Sequence, residues 1–523
     1  MATTTVIINT LLIGVILVGL RGLLLRNKQS RPLPPGPKPW PIVGNLTDLP
    51  SPSEPGWEFW AKHKDLYGPI SSVTTLGTTI VILNSAQLAF ELLEKRSNIY
   101  SSRPKMTFLG EMVGWENSTV LLQQNDRWRA SRKAMHSVIG LKTTLSRMNP
   151  IQEAEVHRFL LRVLEEPEDL IKHIRTEAGA IILKTGYGYP IDWHKEDPLV
   201  ELAERVVENF AAAANPGAYI VDIMPFLRYF PEWIPGAGFQ KIAKKSKSAL
   251  LEFVNKPKNF VKRRMVQGSH QQSFLSTLYE KAGDGIDAEQ DFVLKWSVSA
   301  FYAGGSDTSV SVLSSFFLAM LVNPEVQLKA QEEIDRVVGS GRLPNFEDRE
   351  NLPYIDAVTK EALRFHPVVP MGIPHVTTAD DICEGYFIPK GAMVIQNIWW
   401  FTHDPAVYHD PSSFNPSRHL DPDPCPDPRN YVFGFGRRIC PGKLFGEASV
   451  WLMIARSLAV FNVTKARDEA GKEIEPELRW KPGALSYPIP FKATVKPRSP
   501  EHEALILQAE TLHPWEKSGA DEL

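Results

Sequence analysis

Cys440 lies in Phe433-Gly-Phe-Gly-Arg-Arg-Ile-Cys-Pro-Gly442, just ahead of an apolar helical pattern from Leu444 to Val460. A helix N-terminus offers unpaired backbone N–H groups and a partial positive charge. Both favour a thiolate, the form of cysteine that ligates metals. Gly436 and Gly442 permit backbone conformations and close approaches denied to other residues. Arg438, two residues before the cysteine, can pair with an anion. The other cysteines, Cys383 and Cys425, read as inert small residues. Three scattered cysteines build neither a disulfide framework nor a Cys-x-x-Cys zinc site.

A second set of chemical residues lies in a pattern from about Phe292 to Val322 that is apolar on nearly every face, the mark of a buried helix. It contains Ala303-Gly-Gly-Ser-Asp-Thr-Ser309. A glycine inside a helix costs about 1 kcal/mol against alanine. Gly304 and Gly305 therefore need a reason: close packing of another helix, or room for a small molecule. Thr308 and Asp307 offer a hydroxyl and a carboxyl for proton traffic, although a helical threonine can also bond the carbonyl one turn back. Glu361 and Arg364 stand i,i+3 on a helix expected from about Pro353 to Phe365. Trp128 and Arg132 stand i,i+4, on one helix face. His375 follows Pro370-Met-Gly-Ile-Pro374.

Taken together these stretches resemble the cytochrome P-450 haem-thiolate monooxygenases. Phe433, Gly436, Arg438, Cys440 and Gly442 match the family's Phe-x-x-Gly-x-Arg-x-Cys-x-Gly signature at every position. The resemblance implies that Cys440 is the axial ligand of the iron in haem b (heme b), that Phe433 shields its sulfur and that Arg438 pairs with a propionate. A thiolate ligand pushes electron density onto iron and favours O–O cleavage. Gly304, Gly305, Asp307 and Thr308 are in register with the family's oxygen-activation motif, which implies an oxygen groove at the glycines and proton delivery through Thr308 and Asp307. Glu361 and Arg364 resemble the Glu-x-x-Arg pair. Arg418, in Phe414-Asn-Pro-Ser-Arg-His419, is then the third member of a buried structural triad, with His419 in place of the more usual phenylalanine. Trp128, Arg132 and His375 occupy positions that face haem propionates.

The resemblance also implies a mainly α fold with a minor β portion: the cytochrome P-450 fold, a single large haem domain behind an N-terminal transmembrane helix. The chain has 523 residues, enough to enclose a prosthetic group. With 58 Lys plus Arg against 60 Asp plus Glu, it has no basic field for nucleic acid. Residues 1–20 carry no charge, and Arg21, Arg26, Lys28, Arg31 and Lys38 follow. Twenty helical residues span about 30 Å, and trailing positive charge keeps the body cytoplasmic. The expected division is a transmembrane anchor at 1–25, a basic, proline-rich hinge at 26–45 and a haem-thiolate monooxygenase domain at 46–523. The hinge reads as a stiff extended spacer. This places the protein as a single-pass protein of the endoplasmic reticulum membrane. Sequons at Asn45, Asn117 and Asn462 are then expected to go unused.

Further patterns predict a β-hairpin over Pro69–Asn84, a helix capped by Ser85, helices near Asn323–Val338 and Pro353–Phe365, and strands near Met393–Ile398 and Phe491–Val495. No Gly-x-Gly-x-x-Gly turn is present and the motifs leave no room for a fused reductase, so a separate NADPH-dependent flavoprotein reductase is implied. Arg437, Lys443 and Arg132 or Lys133 form its docking face or a scatter of solvated charges. By analogy with the family's layout, the pocket is built from Met106–Leu121, Phe210–Tyr219, Ala300, Phe301, Val369–Ile373 and Leu485–Tyr487, with Phe210, Phe301 and Met371 as bulky walls. Phe226, Leu227, Tyr229, Phe230, Trp233 and Ile234 are either core or a second membrane contact. The reading is hydroxylation of a lipophilic small molecule by O2, with epoxidation or repeated oxidation by the same machinery. The style resembles fungal microsomal members of secondary metabolism, with a terpenoid ahead of polyketide or indole scaffolds. The alternatives are an O2-independent haem-thiolate isomerase or dehydratase, a haem-binding sensor, and a protein in which Cys440 is structural.

Overall fold

The structure is a computed structural model that describes residues 31–51, 53–192, 195–215, 217–283 and 285–523. The expected anchor and the first part of the hinge lie outside the described residues. Helix α1 (Gly56–Tyr67) leads into strands β1 (Ile70–Thr75) and β2 (Thr78–Leu83). Leu76 and Gly77 turn between them with φ of 48° and 85°, the positive pair of a type I′ hairpin. Ser85 caps the next helix as expected, its side chain accepting from Leu88 N. That helix widens into a π-helical turn over Phe90–Lys95, which later meets the cysteine loop.

The helical body follows: α2 (Asp126–Ile139), α3 (Asn149–Glu165), α4 (Leu170–Tyr187), α5 (Pro198–Ala214), α6 (Phe239–Val266), α7 (Ala288–Val322), α8 (Pro324–Val337) and α9 (Pro353–Phe365). Asn125, Asp197 and Asp287 cap α2, α5 and α7 through their side chains. Strands β3 (His375–Val376), β4 (Asp381–Cys383), β5 (Tyr386–Ile388) and β6 (Met393–Gln396) come next. After the cysteine loop come α10 (Lys443–Val460), β7 (Phe461–Lys465) and β8 (Ala493–Pro497). The last strand begins two residues later than the pattern predicts. The largest sheet has the order β1-β2-β6-β3, with β2 and β6 parallel. The main apolar core joins α3, α4, α5, α7, α9 and α10, and a second cluster joins the sheet to Tyr431 and Phe435 of the cysteine loop.

Helix α7 is long and apolar enough to cross a membrane, but 78% of its most apolar window is buried among the other helices, so it is the core helix that the sequence predicts. The proline-rich stretch differs from a free spacer. Pro35 O accepts from Ser72 N at 2.9 Å, Pro34 O from the Ser72 hydroxyl at 2.6 Å, and Asn45 N donates to Thr74 O at 2.7 Å. An extended proline-rich chain has no internal hydrogen bonds, so its carbonyls are free to serve the edge of β1. Its described part therefore belongs to the folded body, and Asn45 is buried within it.

Candidate active site

Cys440 is held by its own loop. Its N–H donates to Phe433 O at 2.8 Å, and Ile439 N donates to Gly436 O at 3.2 Å. Gly436 has φ of 51°, and a Cβ there would stand 2.3 Å from the Leu93 carbonyl oxygen of the π-helical turn. Only glycine meets both demands. Gly442 is the N-cap of α10. Cys440 lines a cavity of ≈ 340 Å³: the residue is exposed, while its sulfur is desolvated by the surrounding protein. Burial pushes the thiol pKa up, while a hydrogen bond from the Gly442 backbone and the charges of Arg132 and Lys443 pull it down. The helix-end effect expected from sequence is present, and burial outweighs it. A metal bound here displaces the proton.

The same cavity gathers cations. Arg438 donates to Ser101 O at 2.7 Å and Leu122 O at 2.6 Å, and its guanidinium lies 4.6 Å from the Trp128 ring centre. Arg132 donates to Ile439 O at 2.7 Å, and Arg103 to Ile373 O and Pro374 O at 2.7 and 2.8 Å. His375 Nδ1 meets Tyr100 O at 2.6 Å. Among the described residues none of the three arginines has a carboxylate partner. Burial lowers the pKa of all three, and Arg132 adds its repulsion to push Arg438 down to about 9. The Trp128 indole N–H is buried with no acceptor among the described residues. Desolvated guanidiniums and an orphaned donor around one cavity call for a ligand bearing negative oxygens. Arg438, Trp128, Arg132 and His375 thus come together as predicted. Arg132 is turned inward, so it leaves the expected docking face, where Lys133 and Arg437 are exposed.

The glycine pair on α7 divides its work. A Cβ on Gly304 would meet nothing within 4 Å, and this residue faces the cavity. A Cβ on Gly305 would stand 2.2 Å from Ile182 Cδ1, so Gly305 also serves close packing of α4 against α7. Thr308 lines the cavity, with its hydroxyl bonded to Gly304 O at 2.6 Å. Asp307 does not line the cavity. It is hydrogen-bonded to Tyr487, lies 3.9 Å from Arg175, and lines a small separate recess with Val200, Glu204 and Ser306. Adjacent helical residues point about 100° apart, so Thr308 and Asp307 cannot share one face.

Glu361 is fully buried on α9. It takes Arg364 Nε and Nη2 at 2.9 and 2.8 Å, Arg418 Nε at 3.2 Å and Asn415 N at 2.8 Å. His419 joins them, its Nε2 2.9 Å from Glu361 Oε2. The triad is therefore a tetrad, and the residue that departs from the usual phenylalanine is a polar partner rather than a packing variant. Burial pushes the Glu361 pKa up, and the hydrogen bond to His419 with the charges of Arg364 and Arg418 more than reverses it, to about 2.

Of the expected pocket residues, Thr119, Val120, Ala300, Phe301, Val369, Gly372 and Ile373 line the cavity. Phe210 does not: it packs edge-on against Trp115, with ring centres 4.7 Å apart. Met371 packs against the sheet beside Trp60, and Leu485–Tyr487 lie off the cavity. Arg103 and Glu177 line it without having been singled out in the sequence. Neither has a partner at helical spacing that marks it, and each reaches the cavity only through the fold.

The family model "Cytochrome P450" matches residues 34–494 of this chain. "Cytochrome P450 monooxygenase claR" of Ampulloclitocybe clavipes is 48% identical over 510 residues, covering 97% of this chain and 94% of the relative. "Cytochrome P450 monooxygenase ppsD" of Aspergillus oryzae is 44% identical over 506 residues, covering 96% and 95%. "O-methylsterigmatocystin oxidoreductase" of Aspergillus flavus is 43% identical over 504 residues, covering 96% and 94%.

Proposed function

The chain belongs to the cytochrome P450 family, and from that premise we propose that Cys440 is the axial ligand of its haem and that the enzyme hydroxylates a lipophilic small molecule. It is a P450 monooxygenase, which carries haem on a cysteine thiolate and takes NADPH electrons through a reductase. The observation that carries the site assignment is the pairing, in one cavity, of the open Cys440 sulfur with three carboxylate-free guanidiniums and the orphaned Trp128 N–H. Two haem propionates would supply the charge that Arg103, Arg132 and Arg438 lack, with His375 and Trp128 as neutral partners. When bound, the haem supplies O2 activation, tuned by electron donation from the thiolate.

The chain's own residues do the rest. Gly442 stands close to the sulfur, and Phe433, which lines the same cavity, would shield it from water. Gly304 leaves space on α7, and the Thr308 hydroxyl beside it hands protons across that space. The walls Val120, Ala300, Phe301, Leu363, Val369 and Ile373 hold an apolar substrate. Apolar walls favour a terpenoid ahead of polyketide or indole scaffolds in fungal secondary metabolism, with epoxidation or repeated oxidation by the same site. One relative is named for O-methylsterigmatocystin, so that compound belongs in the first substrate panel.

Residues 1–25 serve as an anchor in the endoplasmic reticulum membrane, 26–45 as the basic, proline-rich connection whose described part is docked on β1, and 46–523 as the rest of the haem domain, with the body cytoplasmic. Trp233 is 81% exposed, Tyr229 74% and Phe226 52%, which favours a second membrane contact over the core reading for that cluster. Lys133 and Arg437 offer positive charge to the reductase.

The test is the carbon monoxide difference spectrum of the dithionite-reduced protein, wild type beside Cys440→Ala. A strongly red-shifted Soret band that the substitution abolishes is expected. A wild-type band at the position typical of histidine-ligated haem, or a band that survives Cys440→Ala, overturns the assignment.

A further inference from the structure

Monooxygenation consumes protons as well as electrons: RH + O2 + 2e⁻ + 2H⁺ → ROH + H2O. Asp307 is turned away from the cavity. Among the described residues that line the cavity, the one carboxyl is Glu177 of α4. It is 2% exposed and shares the cavity wall with Ser309 and Val312 of α7 and Ser449 of α10.

Arg162 of α3 acts electrostatically on Glu177. It is 7% exposed, and its Nε, Nη1 and Nη2 have no hydrogen-bond partner among the described residues. A buried guanidinium with every donor idle is among the most expensive arrangements a protein interior holds, and ordered water or an ion is what relieves it. No ion pair joins Arg162 to Glu177. The other nearby acid, Glu155, is committed to Arg158 at 2.5 Å. Arg162 and Glu177 act on each other electrostatically yet form no direct ion pair, the setting that a bridging water fills.

We propose that Glu177, bridged by water to Arg162, is a second proton-relay carboxyl of this active site, delivering protons from the α3–α4 side. This rests on the haem monooxygenase reading above. In one cycle the Glu177 carboxyl gives its proton to a cavity water and becomes a carboxylate beside the Arg162 charge. It then regains a proton from the bridging water, itself resupplied from solvent. No electrons move in this exchange.

The charge environment suits the role. Burial raises the Glu177 pKa, Arg162 lowers it and Glu155 raises it, leaving it at about 8. The groups that share the cavity wall from α7 and α10 are uncharged. Arg175, on the same helix, is turned to Glu204 of α5 and Asp307 of α7. Glu177 therefore holds a proton at neutral pH and can part with it.

The test uses the haem-loaded full chain. Infrared spectroscopy of the wild type is expected to show a protonated-carboxyl band that titrates away near the alkaline side of neutrality. Glu177→Gln loses that band, and Arg162→Met moves its midpoint to higher pH. Glu177→Gln is also mixed with reductase, NADPH and O2, with no substrate added. There the four-electron path to water slows by roughly tenfold or more, peroxide per NADPH rises, and Glu177→Asp recovers part of the difference. Haem content and the red-shifted carbon monoxide band stay unchanged in these variants. A wild type with no titrating carboxyl band overturns the proposal, and so does a Glu177→Gln enzyme with unaltered peroxide yield. A wild type without a thiolate-type carbon monoxide band sinks the monooxygenase reading instead.

Discussion

The Tyr487 hydroxyl donates to the Asp307 carboxyl, tying the loop before the last strand to the acid of the core helix, on the side of α7 away from the cavity. Burial raises the Asp307 pKa, while Tyr487 and the charge of Arg175 pull it back. Tyr487→Phe removes one of these, so the Asp307 pKa rises further and its carboxylate is lost at a higher pH. The expected outcome is an acid limb of NADPH-supported turnover displaced upward in Tyr487→Phe. Superimposable pH profiles would show that Asp307 takes no part in proton delivery.

Glu361 holds its carboxylate through His419, Arg364 and Arg418. Its folded pKa of about 2 lies below the unfolded value of about 4.5, so its contribution is present above pH 4.5 and fades as pH falls through 2. The difference is worth about 3 kcal/mol. His419→Phe removes one hydrogen bond and raises the Glu361 pKa, so acid unfolding of that variant begins at a higher pH. Circular dichroism against pH measures the midpoint. Glu361→Gln leaves Arg364 and Arg418 buried without their counter-charge and costs about 3–5 kcal/mol. It is expected to lose folded haem protein altogether.

Gly304 and Gly305 respond in opposite ways to alanine. Gly305→Ala drives a methyl to within 2.2 Å of Ile182 Cδ1 and must part α4 from α7, at a cost of about 1–3 kcal/mol. Gly304→Ala meets nothing and improves the helix by about 1 kcal/mol, while adding a methyl to the cavity. Melting temperatures should fall in the first and hold or rise in the second. Ile182→Ala alone costs about 2–5 kcal/mol; in double-mutant cycles it should couple favourably with Gly305→Ala and simply add to Gly304→Ala.

Trp128 offers a sign change between the haem-free and haem-bound protein. Its buried N–H has no acceptor among the described residues. Trp128→Phe removes that unsatisfied donor, worth about 1 kcal/mol or more, and should stabilise the haem-free protein. On the proposed haem site the same change also deletes a propionate partner and should speed haem loss to apomyoglobin. Faster haem loss without the gain in haem-free stability would mean that the ring, not the N–H, is what matters.

Sequence alone carried the features whose residues are close along the chain. The cysteine loop, the glycines beside Thr308 and the Glu361–Arg364 pair are each set by one local stretch, and local spacing fixes which of their side chains share a face. The core role of α7 was legible for the same reason: a helix apolar all round has nowhere to go but inside. What the tertiary structure decided was which distant groups meet. Arg103 reaches the cavity from a short loop, His419 turns into Glu361, and Glu177 and Arg162 come from successive helices to stand near each other. It also decided that Gly305 packs against Ile182 and that Asp307 looks toward Arg175 and Tyr487. Helical periodicity requires Thr308 and Asp307 to diverge, but only the packing of α4 and α5 around α7 says which of them faces the cavity.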